Sequence, residues 1–279
     1  MQVIRDAAGL THVERAILVP TMGAIHAGHT ALIRRARAEA ERAGAPVVVS
    51  IFVNPTQFDQ RADYERYPVT LEEDLEACQR QGADAAFAPA MEVMYPEGQA
   101  IETPALPAVA TEPGLEDRMR PGHFAGVCQV VKRLFDLTRP RAAVFGEKDW
   151  QQYRVIEAMV RQERLGIDIL SVPTMRERDG MALSSRNRFL SESERTRAVS
   201  LSRGLLLARR AESAEQAEGV IRAEVAGAGV RVDYAAIRDA ETLLPPVRAG
   251  VPMRALVAGR IGTSAGEIRL IDNMSWWKA

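Results

Sequence analysis

Four histidines occur in the 279 residues, and two of them close the segment Pro20-Thr21-Met22-Gly23-Ala24-Ile25-His26-Ala27-Gly28-His29. An apolar run ends at Pro20, a glycine turn follows, and a helical pattern begins near His29 or Thr30. A helix N-terminus presents N–H groups without intrahelical partners and a partial positive charge, which suits phosphate oxygens. Two imidazoles at this spacing can both face that position and donate hydrogen bonds. Displacement at an α-phosphate builds charge on its oxygens and on the departing pyrophosphate, so fixed donors lower the barrier. The same letters would also spell an accidental pair in a turn, or a metal site. Metal is disfavoured, since no Cys, Asp or Glu at ligand spacing stands nearby. Of the other two histidines, His12 reads as a surface residue and His123 falls in a segment treated below.

Three further segments carry candidate chemistry. In Phe52-Val53-Asn54-Pro55-Thr56-Gln57-Phe58, a proline-stiffened loop would aim Asn54 and Gln57 into one crevice. Neutral amides bind hydroxyls and a carboxylate without the tight ion pair that would blunt a carboxylate nucleophile; Asn54 can equally be a structural loop amide. In Gly146-Glu147-Lys148-Asp149-Trp150-Gln151-Gln152, Lys148 is one of only three lysines among 36 basic residues, the others being Lys132 and Lys278. A compact ammonium follows a migrating phosphoryl group better than a planar guanidinium does. Asp149 could hold nucleotide hydroxyls or a magnesium shell, and Gln152 lies one helical turn beyond Lys148. Taken alone, Lys148-Asp149 also reads as a solvated charge pair at a helix start. In Leu183-Ser184-Ser185-Arg186-Asn187, two hydroxyls and a guanidinium make a clamp for a triphosphate. Arg120 and His123, in Arg120-Pro121-Gly122-His123-Phe124, either reach anionic groups or cap a helix.

The elements that position these residues follow from periodicity. Apolar runs at 16–20, 47–53, 85–89, 142–146 and 167–173 read as strands, and 30–43, 70–81, 123–138 and 150–165 read as helices. Strands apolar along their whole length, alternating with helices, predict a parallel sheet covered on both faces, with ligands at the carboxyl ends of its strands. The proline-rich stretch 95–121 reads as an excursion from the sheet, a flap near the site. Beyond residue 173 the pattern changes. Ser191 opens a helix with a capping box that pairs it with Glu194, a second helix follows at 214–226, and strand-like segments at 230–237, 253–261 and 267–272 predict an antiparallel sheet. The expected architecture is α/β, a Rossmann-like doubly wound parallel sheet over 1–173. A smaller C-terminal α+β domain, 174–279, is expected to close over the active site.

Composition narrows the function. A formal net charge of −1 argues against a nucleic-acid backbone as partner. Cys78 and Cys128 lie in apolar helical patterns and read as reduced thiols. No apolar run approaches the ~20 residues a membrane-spanning helix needs, and the charged start lacks a signal-type apolar block. A soluble, cytoplasmic protein is expected.

PTMGAIHAGH, FVNPTQF, RPGHFAGV, GEKDWQQ and SSRN, in this order and spacing, resemble the pantothenate synthetase family of nucleotidyltransferases with a paired-histidine motif. The resemblance runs from about Pro20 to Leu190 and continues more weakly beyond. It implies ATP-dependent condensation of pantoate with β-alanine through a pantoyl-adenylate, with Mg2+ accompanying ATP and with homodimerisation. It implies that Met22 to His29, Gly146 to Asp149, Met175 and Leu183 to Arg186 contact ATP. His26, His29 and Lys148 would stabilise the transition state, with His29 donating to phosphate. Gln57 and Gln152 would hold pantoate, with Asn54 supporting Gln57. Thr30, Trp150 and Met175 depart from the family pattern without removing a reacting group. Two alternatives remain open at this point. One is a related nucleotidyltransferase acting on a phosphate ester, which would need a basic acceptor pocket. The other is a non-catalytic nucleotide- or RNA-binding relative, which an electrophoretic RNA shift would reveal.

Overall fold

The computed structural model describes residues 1–58, 61–247, 250–264 and 266–276. The chain forms two compact units. One comprises Met1–Thr111, Glu116–Glu147 and Gln152–Pro173; the other comprises Glu112–Leu115, Lys148–Gln151 and Thr174–Ala279.

The first unit is built on six strands: β1 (Gln2–Ile4), β2 (Ile17–Thr21), β3 (Val47–Ile51), β4 (Ala85–Phe87), β5 (Ala142–Gly146) and β6 (Asp168–Val172). They lie in the order β1-β4-β3-β2-β5-β6, and every pairing is parallel. The helices are α1 (Ala27–Ala43), α2 (Arg61–Glu65), α3 (Leu71–Arg80), α4 (Met91–Met94), α5 (Glu116–Met119), α6 (His123–Thr138) and α7 (Trp150–Gln162). Alternate strand residues feed opposite faces, as the two-residue period of a strand requires. Ile17, Val19, Val47, Val49, Ala142 and Val144 pack with Leu32, Ile33, Ala36 and Ala40 of α1 and Cys78 of α3. Leu18, Val48, Phe87 and Ala143 are equally buried on the other face. Both faces being covered explains why these strands read as continuous apolar runs.

The stretch 95–121 adds no strand to the sheet. Gln129 of α6 donates to the Ile101 carbonyl at 2.8 Å, and Gln162 of α7 donates to the Ala105 carbonyl at 2.8 Å. Two side-chain amides thus strap residues 101–105 along these helices.

In the second unit, β7 (Arg231–Asp239), β8 (Met253–Thr263) and β9 (Gly266–Trp276) form an antiparallel sheet in that order, accompanied by α8 (Glu192–Ala198), α9 (Ser200–Ala208) and α10 (Ala214–Gly227). Leu201, Leu205, Ile221 and Val225 pack against Ile237, Val257, Leu270 and Trp276. Ser191 and Glu194 make the predicted reciprocal cap of α8. Among the described residues, no helix is long and apolar enough to cross a membrane.

Candidate active site

Strands β2 and β5 are neighbours, yet the chain leaves β2 toward β3 and β5 toward β6, on opposite sides of the sheet. Ligands of doubly wound sheets bind in the crevice outside the carboxyl ends of two such strands. The segment from Met22 to His29 leaves β2 there, and Gly146-Glu147 ends β5, with Glu147 accepting from the Ser171 hydroxyl at 3.0 Å.

His26 is the N-cap of α1, and the two imidazoles cap the helix reciprocally. His26 Nδ1 accepts from the Gly28 N–H at 3.1 Å, while His29 Nδ1 accepts from the His26 N–H at 3.3 Å. The rings stack with centroids 4.1 Å apart and planes 27° from parallel. A ring nitrogen that accepts from a peptide N–H carries no proton, so each neutral ring carries its proton on Nε2. The cap therefore selects the tautomer and makes both Nε2 atoms donors.

Upstream, the backbone turns through Gly23 at φ 80° and Ala24 at φ 49°. The left-handed conformation costs an alanine roughly 1–2 kcal/mol, and something must hold it. Asp74 of α3, only 2% exposed, does so. Its Oδ2 accepts from the Ala24 N–H at 3.0 Å and its Oδ1 from the Ile25 N–H at 2.7 Å, while the Thr70 hydroxyl donates to Oδ2 at 3.2 Å. The amides of residues 24 and 25 thus point at a carboxylate of the protein, where the sequence placed nucleotide contacts.

Asn54 is 1% exposed and engaged at both ends of its amide. Its Oδ1 accepts from the Thr56 N–H at 3.3 Å and the Tyr95 hydroxyl at 2.8 Å; its Nδ2 donates to Gly126 O at 3.2 Å and Gln57 Oε1 at 3.3 Å. Burial pushes the Tyr95 phenol up, which keeps it a donor. Asn54 is therefore a cap of the turn Pro55–Gln57 and a support of Gln57. Gln57 Nε2 lies 2.8 Å from the Met22 sulfur, which joins the amide pair to the histidine segment.

Arg120 and His123, expected either at anionic groups or in a capping role, both contact the Gln57 backbone. His123 Nδ1 lies 2.8 Å from the Gln57 carbonyl, to which Arg120 Nη2 also donates at 3.2 Å. Arg120 Nη1 stands 3.1 Å from His123 Nε2, so His123 carries its proton on Nδ1 and donates to Gln57. Both residues position the Gln57 backbone. Gln152, near the start of α7, is half-buried.

The remaining sequence candidates lie in the second unit. Lys148 pairs with Asp149 at 3.3 Å. Its carbonyl accepts from Asn273 Nδ2 at 2.8 Å, Arg254 donates to Asn273 Oδ1 at 2.7 Å, and the Arg254 guanidinium sits 3.6 Å from the Trp150 ring centroid. Trp150 Nε1 donates to Ala240 O at 3.0 Å. The indole that departs from the family pattern is thus a platform for Arg254. The Met175 carbonyl accepts from the Leu183 N–H at 2.9 Å, and the Ser184 hydroxyl caps the turn Ser185–Phe189 by accepting from Arg186 N at 3.3 Å. Arg186 has no carboxylate partner among the described residues.

Asp74, Tyr95, Gly126, Arg254 and Asn273 escaped the sequence reading. Each acts on a residue distant in the chain, and the one indirect signal was the bulky Trp150, on which Arg254 rests.

Comparison with known proteins bears on the whole chain. Residues 2–275 match the family model described as Pantoate-beta-alanine ligase. A pantothenate synthetase of Nocardioides sp. is 47% identical, with 96% of this chain and 80% of that protein covered. One of Myxococcus xanthus is 48% identical, over 93% and 88%. The solved pantothenate synthetase of Thermus thermophilus is 42% identical and superposes with a TM-score of 0.91 over 100% of both chains. The pantoate-β-alanine ligase of Francisella tularensis, solved with "Beta-gamma ATP and Beta-alanine", is 30% identical with a TM-score of 0.78, over 99% and 97%. The chain belongs to the pantoate–β-alanine ligase family.

Proposed function

We propose that the chain condenses pantoate with β-alanine in two steps, with ATP as co-substrate. In the first, a pantoate carboxylate oxygen attacks the α-phosphorus; the new O–P bond forms as the bond to pyrophosphate breaks, giving pantoyl-adenylate. In the second, the β-alanine amine attacks the activated carbonyl. The C–N bond forms, the C–O bond to AMP breaks, and the amine sheds a proton. The observation that carries this reading is the reciprocal imidazole cap, which makes both Nε2 atoms donors where α1 begins.

In this reading His26 and His29 donate through Nε2–H to the phosphate oxygens as charge grows on them. Lys148 is the ammonium that follows charge onto pyrophosphate. Met22 to His29, Gly146 to Asp149, Met175 and Leu183 to Arg186 bind ATP, with Ala24 and Ile25 doing so through atoms other than their Asp74-bound amides. Gln57 and Gln152 hold pantoate by neutral amides, leaving its carboxylate nucleophilic, and Gln57 also lies close to β-alanine. Asn54, Arg120 and His123 complete the substrate side of the site and also fix Gln57. Catalysis of the first step is mainly positioning and electrostatics.

Mg2+ fits this scheme as an ion delivered on the triphosphate. Among the described residues no three His, Cys, Asp or Glu gather as a ligand set, and Mg2+ favours phosphate oxygens, waters and one or two carboxylates. Asp149, beside Lys148, is the carboxylate suited to its shell. The ion, when bound, spreads the negative charge of the phosphates. We further infer a cytoplasmic homodimer that acts on small molecules and not on nucleic acid, in keeping with the formal charge of −1.

The test is exchange of labelled pyrophosphate into ATP without β-alanine, run with and without pantoate. Exchange that requires pantoate is expected. Equal exchange without pantoate would mean that a different acid, or none, is activated.

A further inference from the structure

The turn before the histidine pair is held from outside. Gly23 and Ala24 both adopt positive φ, and the next two amides, Ala24 and Ile25, end on the carboxylate of Asp74 fifty residues away. The fit is close: a Cβ on Gly23 would lie 2.7 Å from Asp74 Oδ2. Asp74 is buried, and no cation pairs with it among the described residues. Its charge is met by two peptide N–H groups, the Thr70 hydroxyl and the N-terminal turn of α3. A buried carboxylate without a cation is costly unless such donors satisfy it, so a neutral residue would serve packing as well. What the carboxylate adds is two acceptor oxygens aimed at consecutive amides.

We propose that Asp74 is a positioning residue for adenylate formation. By clamping residues 23–25 it sets the angle at which His26 enters α1, keeps the two Nδ1 atoms on the helix amides, and so keeps both protons on Nε2. This rests on the proposed role of the imidazoles at the α-phosphate. Asp74 touches no substrate; it acts through His26 and His29.

Asp74→Asn is nearly isosteric but turns an N–H toward one of the two amides. In protein labelled with 15N-histidine, long-range 1H–15N spectra read the tautomer of each ring. The wild type should show His26 and His29 as Nε2–H and His123 as Nδ1–H. In Asp74→Asn, His26 and His29 should shift to averaged tautomers while His123 stays unchanged. Pantoate-dependent pyrophosphate exchange should fall in kcat on the order of 10–10²-fold, with the ATP KM within about threefold. Thr70→Val, which removes one donor to Asp74, should move the same signals in the same direction by less. Unchanged His26 and His29 signals with wild-type kcat overturn the proposal. So does a variant in which His123 changes as much as the pair, since Asp74 would then be a general folding residue. If the tautomers shift as predicted but the wild type shows no pantoate-dependent exchange, the clamp stands and the ligase reading falls.

Discussion

Replacing Gly126 with alanine adds one carbon where α6 meets the turn that carries Gln57. A Cβ built at Gly126 runs into the Thr56 carbonyl, 2.5 Å from its carbon and 2.8 Å from the Gln57 nitrogen. Both are backbone atoms, so no side chain can swing aside. Ordinary contact begins at 3.4 Å, so helix and turn must part by about 1 Å. The separation also pulls on the 3.2 Å bond from Asn54 to the Gly126 carbonyl. Overpacking of this kind costs about 1–3 kcal/mol, and the strained hydrogen bond about 1 kcal/mol more. A misplacement of ~1 Å at a positioning residue lowers rates by up to about 10²-fold. Urea unfolding gives the first quantity, and initial rates against pantoate concentration give the second. Pantoate kcat/KM should fall on the order of 10–10²-fold, with the ATP KM nearly unchanged. Gly219→Ala is the control: at an exposed position of α10 its Cβ meets nothing within 4 Å, so it should gain up to about 1 kcal/mol and keep full activity. Wild-type stability and wild-type pantoate kinetics in Gly126→Ala would refute the close approach as the reason for glycine.

Other outcomes follow from the same geometry. Arg254→Ala removes the cation over Trp150 and the donor to Asn273, and should cost about 1–3 kcal/mol in urea unfolding; a loss smaller than about 0.5 kcal/mol would mean the network is incidental. Burial alone would raise the Asp233 carboxyl, but hydrogen bonds from Arg269 and Arg260 outweigh it and hold the pKa below the ordinary value. A depressed folded pKa gives stability that is present above the unfolded value and lost as pH falls through the folded one. Asp233→Asn should therefore be less stable than wild type at pH 7, the gap closing below about pH 4; a gap independent of pH would contradict the pairing. Burial pushes the thiols of Cys78 and Cys128 up to about 12, so at pH 8 both should resist alkylation in the native protein and react on unfolding. Rapid native alkylation of either would refute their burial.

Much of the fold is legible in residue order because the central parallel strands are largely apolar and the longer helices have one apolar face. The segment 123–138 read as a helix matches α6 in full. Strand β1 escaped because three residues, two of them exposed, show no periodicity. The single helix expected after Ser191 is two, α8 and α9, meeting at Val199. Strand β9 runs past the expected end at 272 to Trp276, because Asn273, polar and 3% exposed, faces Lys148 and not solvent. The histidine, amide, lysine and serine segments were singled out by residue type and spacing. Their supports were not. Asp74 looks like any acidic residue in the first turn of a helix, and Gly126 like a helical glycine. Only the folded chain shows what each one touches.

The central claim, that the imidazole pair acts at the α-phosphorus, is tested most directly by rapid-quench measurement of adenylate formation in His29→Ala without β-alanine. Adenylation should slow on the order of 10²-fold or more, the scale of losing one oxyanion-type donor. Attack of β-alanine on preformed pantoyl-adenylate should stay near the wild-type rate. Wild-type adenylation in the variant, with the loss confined to the amide-forming step, would contradict the account.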